Sequence, residues 1–419
     1  MIVRDVLDNG LRLLTESMPH VRSVTIGVWL TRGSRHEPWE QGGIAHFVEH
    51  VLFKGTTARS AEDIAQAIDS IGGQLDAFTA KEYASYYIKV LDEHLPLALD
   101  ILSDVVRNPA MRDEDIEREK KVILEEIKMV EDTPDDLVHE VFTQSFWEGH
   151  PLARPILGTK ESIEALTERA LRDYFAAVYT ADNFIVSAVG NIEHAQVRQL
   201  VERAFDGIPT SGTPLVDQVP VVVPQTVMRA KELEQSHLCL GVGGYQQNHE
   251  DRYVSYVLNT LLGGSMSSRL FQNVREKRGL AYAVFSGLAA YRDTGAFTVY
   301  AGCANEVVGE VLDLIVEELK TIKREPVPEP ELRRSKDHLK GSLMLGLENT
   351  ASRMSHLARQ EIYFDRQFGL DETLEGIERV TAAGLARVAQ DLFSTGALAA
   401  TVLGPLDGLT LPAERLALG

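Results

Sequence analysis

Apolar residues gather along the chain in two kinds of stretch, short β-rich runs and longer runs with helical periodicity. The β-rich runs include SVTIGVWLTRGSRHE at 23–37, AFTAKEYASYYIKV at 77–90, NFIVSAVGNI at 183–192, HLCLGVGGYQQNHED at 237–251 and GAFTVYAGC at 295–303. Stretches 113–131, 307–322 and 329–349 place apolar residues on one helical face. The N-terminal MIVRDVLDNGLRLLTESMP predicts two short strands around an Asn9-Gly10 turn. This mixture predicts an α+β fold, with mainly antiparallel sheets covered by helices.

The stretch IPTSGTPLVDQVPVVVPQT holds four prolines, which argue against regular structure and predict a linker over residues 209–226. The flanking segments, 1–208 and 227–419, resemble each other. Each opens with a strand followed by a helix that ends in glycine, Gly55 in one and Gly263-Gly264 in the other. Two homologous halves related by internal duplication are therefore expected. Setting Lys54-Gly55-Thr56 against Gly263-Gly264-Ser265 places Ser255, Leu258 and Asn259 opposite His46, Glu49 and His50. Chemistry that depends on those three belongs to the first half alone.

Composition narrows the class. A chain of 419 residues with 44% hydrophobic side chains can bury sizeable cores. Two cysteines, Cys239 and Cys303, are too few for a disulfide framework and lack the spacing of a thiolate metal site. No run reaches the roughly 18 apolar residues of a membrane span, and no signal peptide is visible, so a cytoplasmic protein that does not engage a membrane is expected. The formal charge of −20 disfavours nucleic acid as a partner. An acidic surface serving solubility explains the charge equally well.

The segment GGIAHFVEHVLFKG at 42–55 carries the candidate chemistry. At about 100° per residue, His46, Glu49 and His50 share one helical stripe, while Ile44, Phe47, Val48 and Val51 take the other. Two imidazoles one turn apart can grip one Zn²⁺, and a catalytic zinc takes three protein ligands. The helix DEDIEREKKVILEEIKMVED at 113–132 offers the third, because Glu119 and Glu126 fall in a stripe with Ile116, Val122, Ile123, Ile127 and Val130. Carboxylates in an apolar stripe require a positive partner, and a metal would supply it. The plainer alternative makes His46 and His50 satisfied core histidines. Likewise, GGSMSS at 263–268 lacks the spacing of a phosphate loop and reads locally as a turn before a helix cap.

The H-x-x-E-H order is the inverzincin signature, and over its whole length the chain resembles the family of pitrilysin, insulin-degrading enzyme and mitochondrial processing peptidase, in its short branch. The resemblance rests on GGIAHFVEHVLFKGT, GGQLDAFTAKEYASYY, EREKKVILEEIKM, HPLARPILGT and LLGGSMSSRLFQNVREKRGLAYAV. It implies a zinc metalloendopeptidase with one Zn²⁺ per chain, held by His46, His50 and Glu126. It implies Glu49 as the general base that activates water, and Glu119 as an acid behind the ligands. It also implies that 227–419 is an inactive half whose Arg275 and Tyr282 contact substrate and stabilise the reacting carbonyl. Asp76, Ala77, Phe78 and Thr79 match an edge strand that receives extended peptide substrates, with Asp76 in place of the usual asparagine. Two further expectations follow from the resemblance, a homodimer with a composite active site and, as the alternative to an enzyme, a scaffold or partner subunit. Without it, Arg275 in VREKRG reads as a solvated helix end before a glycine cap.

Overall fold

The computed structural model describes residues 2–210, 218–394, 398–406 and 408–419. From the N-terminus, β1 (Ile2–Val6), β2 (Arg12–Ser17) and β3 (Ser23–Leu30) lead to helix α1 (Ile44–Leu52) and the hairpin of β4 (Gln74–Thr79) and β5 (Ala84–Leu91). Helices α2 (Leu95–Arg107), α3 (Asp113–Asp132) and α4 (Pro134–Phe146) precede β6 (Phe184–Gly190) and α5 (His194–Ala204). The second series runs β7 (Thr226–Ala230), β8 (Ser236–Gly244), α6 (Arg252–Leu262), β9 (Ala281–Ala290) and β10 (Gly295–Cys303). Helices α7 (Val308–Arg324), α8 (Glu329–Gly346), α9 (Thr350–Phe364) and α10 (Ala382–Leu392) then lead to β11 (Ala399–Gly404). Further helices, among them Ala61–Asp69, Glu168–Val178 and Leu370–Glu378, join these elements.

The first sheet has the order β1-β2-β6-β3-β5-β4 and the second β7-β11-β8-β10-β9. Strand for strand, the second repeats the last five of the first. The parallel pair also recurs, β2 with β6 and β7 with β11, among otherwise antiparallel neighbours. The chain is thus an α+β fold of two homologous halves. Of the proline-rich stretch, residues 211–217 lie outside the described residues, 218–225 form no helix or strand, and β7 begins at Thr226. The helical run expected over 329–349 is interrupted: α8 ends at Gly346, and the Asn349 side chain caps α9 by accepting the Ala351 N–H at 2.8 Å.

The chain gathers into two compact units, one of Met1–Met129, Arg154–Asp217 and Gly346–Gln367, the other of Val130–Ala153, Gln218–Leu345 and Phe368–Gly419. Relative to the sequence halves, α4 has crossed into the second unit and α9 into the first. The period of two along the central strands accounts for both placements. In the first unit Val24, Ile26, Val28 and Leu30 of β3 join a core with Phe47 and Val51 of α1, Leu99 of α2 and Val201 of α5. The alternate positions of β3 face α9: Thr25 and Thr350 hydroxyls lie 2.8 Å apart, and Trp29 donates to Met354 Sδ at 3.0 Å. Gly27 sits between them, and a Cβ there would stand 2.8 Å from Met354 Sδ. In the second unit Leu238, Leu240 and Val242 of β8 join Leu258 of α6, Ile315 of α7 and Leu385 of α10. On the other face a Cβ at Gly241 would stand 2.6 Å from the Phe142 ring of α4. Each central strand therefore keeps a glycine where a helix crosses closely.

Candidate metal centre

Helix α1 is preceded by Gly43, whose φ of 91° favours glycine and lets the chain turn sharply into the helix. Gly43 has no side chain with which to cap, and the buried Glu37 does so instead. Its Oε2 accepts the Gly43 N–H and its Oε1 the Ala45 N–H, both at 2.9 Å. Burial pushes the Glu37 carboxyl up to about 7, against the pull of these two N–H groups and of the Arg154 and Lys81 charges. Ile44, Phe47, Val48 and Val51 are fully buried, each contributing about 1.5–3 kcal/mol by removal from water. That face fixes the helix and leaves His46, Glu49 and His50, all partly buried, on the other.

His46, His50 and Glu126 bring one ligand atom each within 4.8 Å of one another, the only such group among the described residues. His50 Nε2 lies 3.5 Å and His46 Nε2 3.8 Å from Glu126 Oε2. Bonds of about 2.0–2.1 Å at a tetrahedral angle would set such atoms about 3.3–3.4 Å apart, so the donors fit one zinc with little adjustment. Their chemistry agrees. Burial, reinforced by the neighbouring His50, pushes His46 down to about 3 and keeps its ring neutral. His50 Nδ1 lies 3.1 Å from Glu119 Oε2, and donation there leaves Nε2 with its lone pair towards Glu126. Among the described residues the buried His46 Nδ1 has no hydrogen-bond partner, so packing orients that ring. Two imidazoles and a carboxylate facing one point are a donor set that could hold a divalent cation.

Glu49 is held from β4, where the Thr79 hydroxyl donates to its Oε2. Burial pushes the Glu49 carboxyl up, and the Thr79 bond opposes that shift. β4 is the outermost strand of its sheet, so its far edge has no strand partner among the described residues. Along it Asp76 and Phe78 are exposed while Ala77 and Thr79 are half-buried. Asp76 is engaged locally, accepting the Tyr87 hydroxyl at 2.9 Å and the Ala77 N–H at 2.8 Å. Leu75, Asp76 and Ala77 line a cleft of about 300 Å³ with Glu49, His50 and Glu119.

In the second unit, Arg275 belongs to a short helix over Phe271–Glu276, and its carbonyl accepts the Gly279 N–H at 2.9 Å. Its guanidinium stacks 4.8 Å from the Phe271 ring and 5.4 Å from the Tyr282 ring. Arg275 and Tyr282 thus lie together at the start of β9, with Tyr282 75% exposed.

Two expectations about α3 need correction. Val122 is exposed and the Glu126 side chain is 34% exposed, so the buried stripe is narrower, with Ile116, Glu119 and Ile123 at its centre. The buried Glu119 also has a positive partner besides any metal, since Lys54 Nζ lies 2.8 Å from its Oε1. Sequence reasoning missed Lys54, Glu37 and the bond from Thr79 to Glu49. Glu37 alone left a signal, an acid upstream of a helix whose capping position is a glycine.

Comparisons with known proteins place the chain in a family. The insulinase model of peptidase family M16 matches residues 12–160, and the model of the M16 inactive domain matches 165–339. The chain is 43% identical to the uncharacterized zinc protease YmxG of Bacillus subtilis, over 94% of this chain and 96% of that one. It is 40% identical to an uncharacterized zinc protease of Streptomyces coelicolor, over 96% and 89% respectively. Among solved structures, a protease from Helicobacter pylori superposes with a TM-score of 0.90 at 23% identity, covering 97% of this chain and all (100%) of that one. An M16 inactive-domain protein from Pseudomonas fluorescens superposes with a TM-score of 0.91 at 20% identity, covering 96% and 98%. Two recurring sheets, a histidine pair meeting a carboxylate, and relatives matched nearly end to end place the chain in the M16 family of peptidases, the insulinase family.

Proposed function

We propose that the chain is a zinc-dependent endopeptidase that hydrolyses extended, unstructured peptides and carries one Zn²⁺. The observation behind this reading is the convergence of His46, His50 and Glu126 within 4.8 Å, with a carboxylate base on the same helical stripe. His46, His50 and Glu126 would hold the metal, and Glu119 would keep the His50 ring in its ligating orientation. When bound, zinc supplies Lewis acidity, lowering the pKa of water towards about 7 and polarising a carbonyl. Because Thr79 occupies Oε2 of Glu49, Oε1 is the oxygen that takes the proton of the attacking water. Glu49 then returns that proton to the leaving amine. The open edge of β4 at Asp76, Ala77, Phe78 and Thr79 receives the peptide backbone, which only a chain free of its own strand partners can offer.

Arg275 and Tyr282 complete the reading as the pair that contacts substrate, with the Tyr282 hydroxyl donating to the carbonyl oxygen under attack. In a homodimer that pair would serve the metal of the partner subunit. A scaffold without activity needs neither a complete ligand set nor a base held by a dedicated hydroxyl, so the enzyme is the better reading. Glu49→Gln tests it. The variant should keep its fold and its zinc but lose about 10²–10⁴-fold of its turnover on an unstructured peptide. Turnover within a few-fold of the parent would sink the assignment of the base.

A further inference from the structure

We propose that Lys54 is a positioning residue of the metal centre, acting through Glu119 on His50; the proposal rests on the zinc reading above. Glu119 is almost entirely buried, its side chain 3% exposed. Each of its oxygens has one partner. Oε2 faces His50 Nδ1 at 3.1 Å and Oε1 faces Lys54 Nζ at 2.8 Å. The carboxylate is therefore a bridge with a fixed rotation: turning it to improve one contact lengthens the other.

Lys54 is itself placed by the end of the metal helix. Phe53 follows the last turn of α1, and the Lys54 N–H still donates to the Val51 carbonyl at 3.1 Å. The ammonium group thus starts from a backbone tied to the same turn that carries His50, and it crosses to α3, where Glu119 and Glu126 reside. It closes a loop from α1 through Lys54 to Glu119 and back through the His50 ring. A buried carboxylate held by one hydrogen bond alone is costly and free to reorient. With the ammonium in place, Glu119 presents Oε2 to Nδ1 and holds Nε2 towards the ligand site.

The sign of the effect separates this role from a simple charge. A cation near a divalent metal repels it, so if Lys54 acted only as a charge its removal would tighten zinc binding. A positioning role predicts the opposite, because loss of a group that orients a ligand typically costs 10–100-fold in metal affinity.

The experiment measures zinc affinity of the full chain by competition with a chromophoric chelator, with the fold checked by circular dichroism. Lys54→Met should weaken zinc roughly 10–100-fold, and Lys54→Arg, which can still pair with Glu119, should recover most of the loss. Lys128→Met removes a lysine of α3 that pairs with Glu125 at the surface, and it should leave the affinity unchanged. Should Lys54→Met fail to fold, Glu119→Gln and Glu119→Gln/Lys54→Met are compared, since neither leaves a buried charge unpaired. Equal affinity in those two supports the proposal. Affinity in Lys54→Met equal to or tighter than the parent overturns it, as does a full Lys54 effect in the Glu119→Gln background. A parent chain that takes up no zinc overturns the metal reading itself, an outcome distinct from either.

Discussion

At the scale of single residues, the surroundings of helix α1 include acids that solvent hardly reaches, and Glu37 makes the consequence measurable. Its carboxyl stands at about 7 in the folded chain against an ordinary value of 4.5, with burial the largest cause. The fold therefore holds this proton more tightly than the unfolded chain does. Its contribution to stability is fully present below about 4.5 and is lost as pH rises through about 7. The denaturation midpoint of the parent should fall between about pH 5 and pH 8, and Glu37→Gln should flatten that segment of the curve. A parent and variant with parallel pH profiles would contradict the assignment. Glu119 is paired directly with the Lys54 ammonium, 2.8 Å away. The sequence makes Glu119 conspicuous as an acid within an apolar stripe, yet it conceals Lys54, whose reach depends on how the chain turns after Phe53.

At the scale of elements, the two glycines of the central strands are the constraint. A Cβ at Gly241 would meet the Phe142 ring at 2.6 Å and the Phe297 carbonyl oxygen at 3.1 Å, whereas one at Gly27 meets the flexible end of Met354. Gly241→Ala should therefore destabilise the chain by about 1–3 kcal/mol, through overpacking against a rigid ring and a backbone atom. Gly27→Ala should cost less. Adding Phe142→Leu to Gly241→Ala should recover part of the loss, a coupling readable in urea denaturation. Costs that simply add would show that α4 does not press on β8. Most elements are legible in the sequence: β3 and α1 announce themselves by periods of two and 3.6, and the face carrying His46, Glu49 and His50 follows from the second. The crossing of α4 and α9 is not, because both helices have ordinary amphipathic patterns and nothing local says which sheet receives them. The bond from Thr79 to Glu49 is hidden for the same reason, as it joins β4 to α1 across thirty positions.

At the scale of the whole molecule, no helix among the described residues is long and apolar enough to cross a membrane, and the candidate metal ligands lie in one of two homologous halves. The second half keeps the sheet but has Ser255, Leu258 and Asn259 in place of the histidines and the base. There Asn259 serves structure, its Oδ1 accepting the Ser286 hydroxyl at 2.7 Å. A homodimer would give each metal a partner's Arg275 and Tyr282, and subunit mixing tests that arrangement. Glu49→Gln and Tyr282→Phe chains, each inactive alone, are combined and allowed to exchange. Half of the randomly paired dimers are mixed, and each of those holds one site with both defects and one with neither, so about a quarter of parent activity should return. No recovery, with mixed dimers verified by mass, would reject the shared site and leave the metal assignment standing.

The central claim is that His46, His50 and Glu126 hold one zinc, and metal stoichiometry tests it most directly. Glu125 is the discriminating control, because it sits beside Glu126 in sequence but pairs with Lys128 with its side chain 69% exposed. Elemental analysis of the purified chain should find about one zinc per parent chain and per Glu125→Ala chain, and a clear loss in Glu126→Ala and His50→Ala. Full zinc content in Glu126→Ala, or its loss in Glu125→Ala alone, would contradict the account.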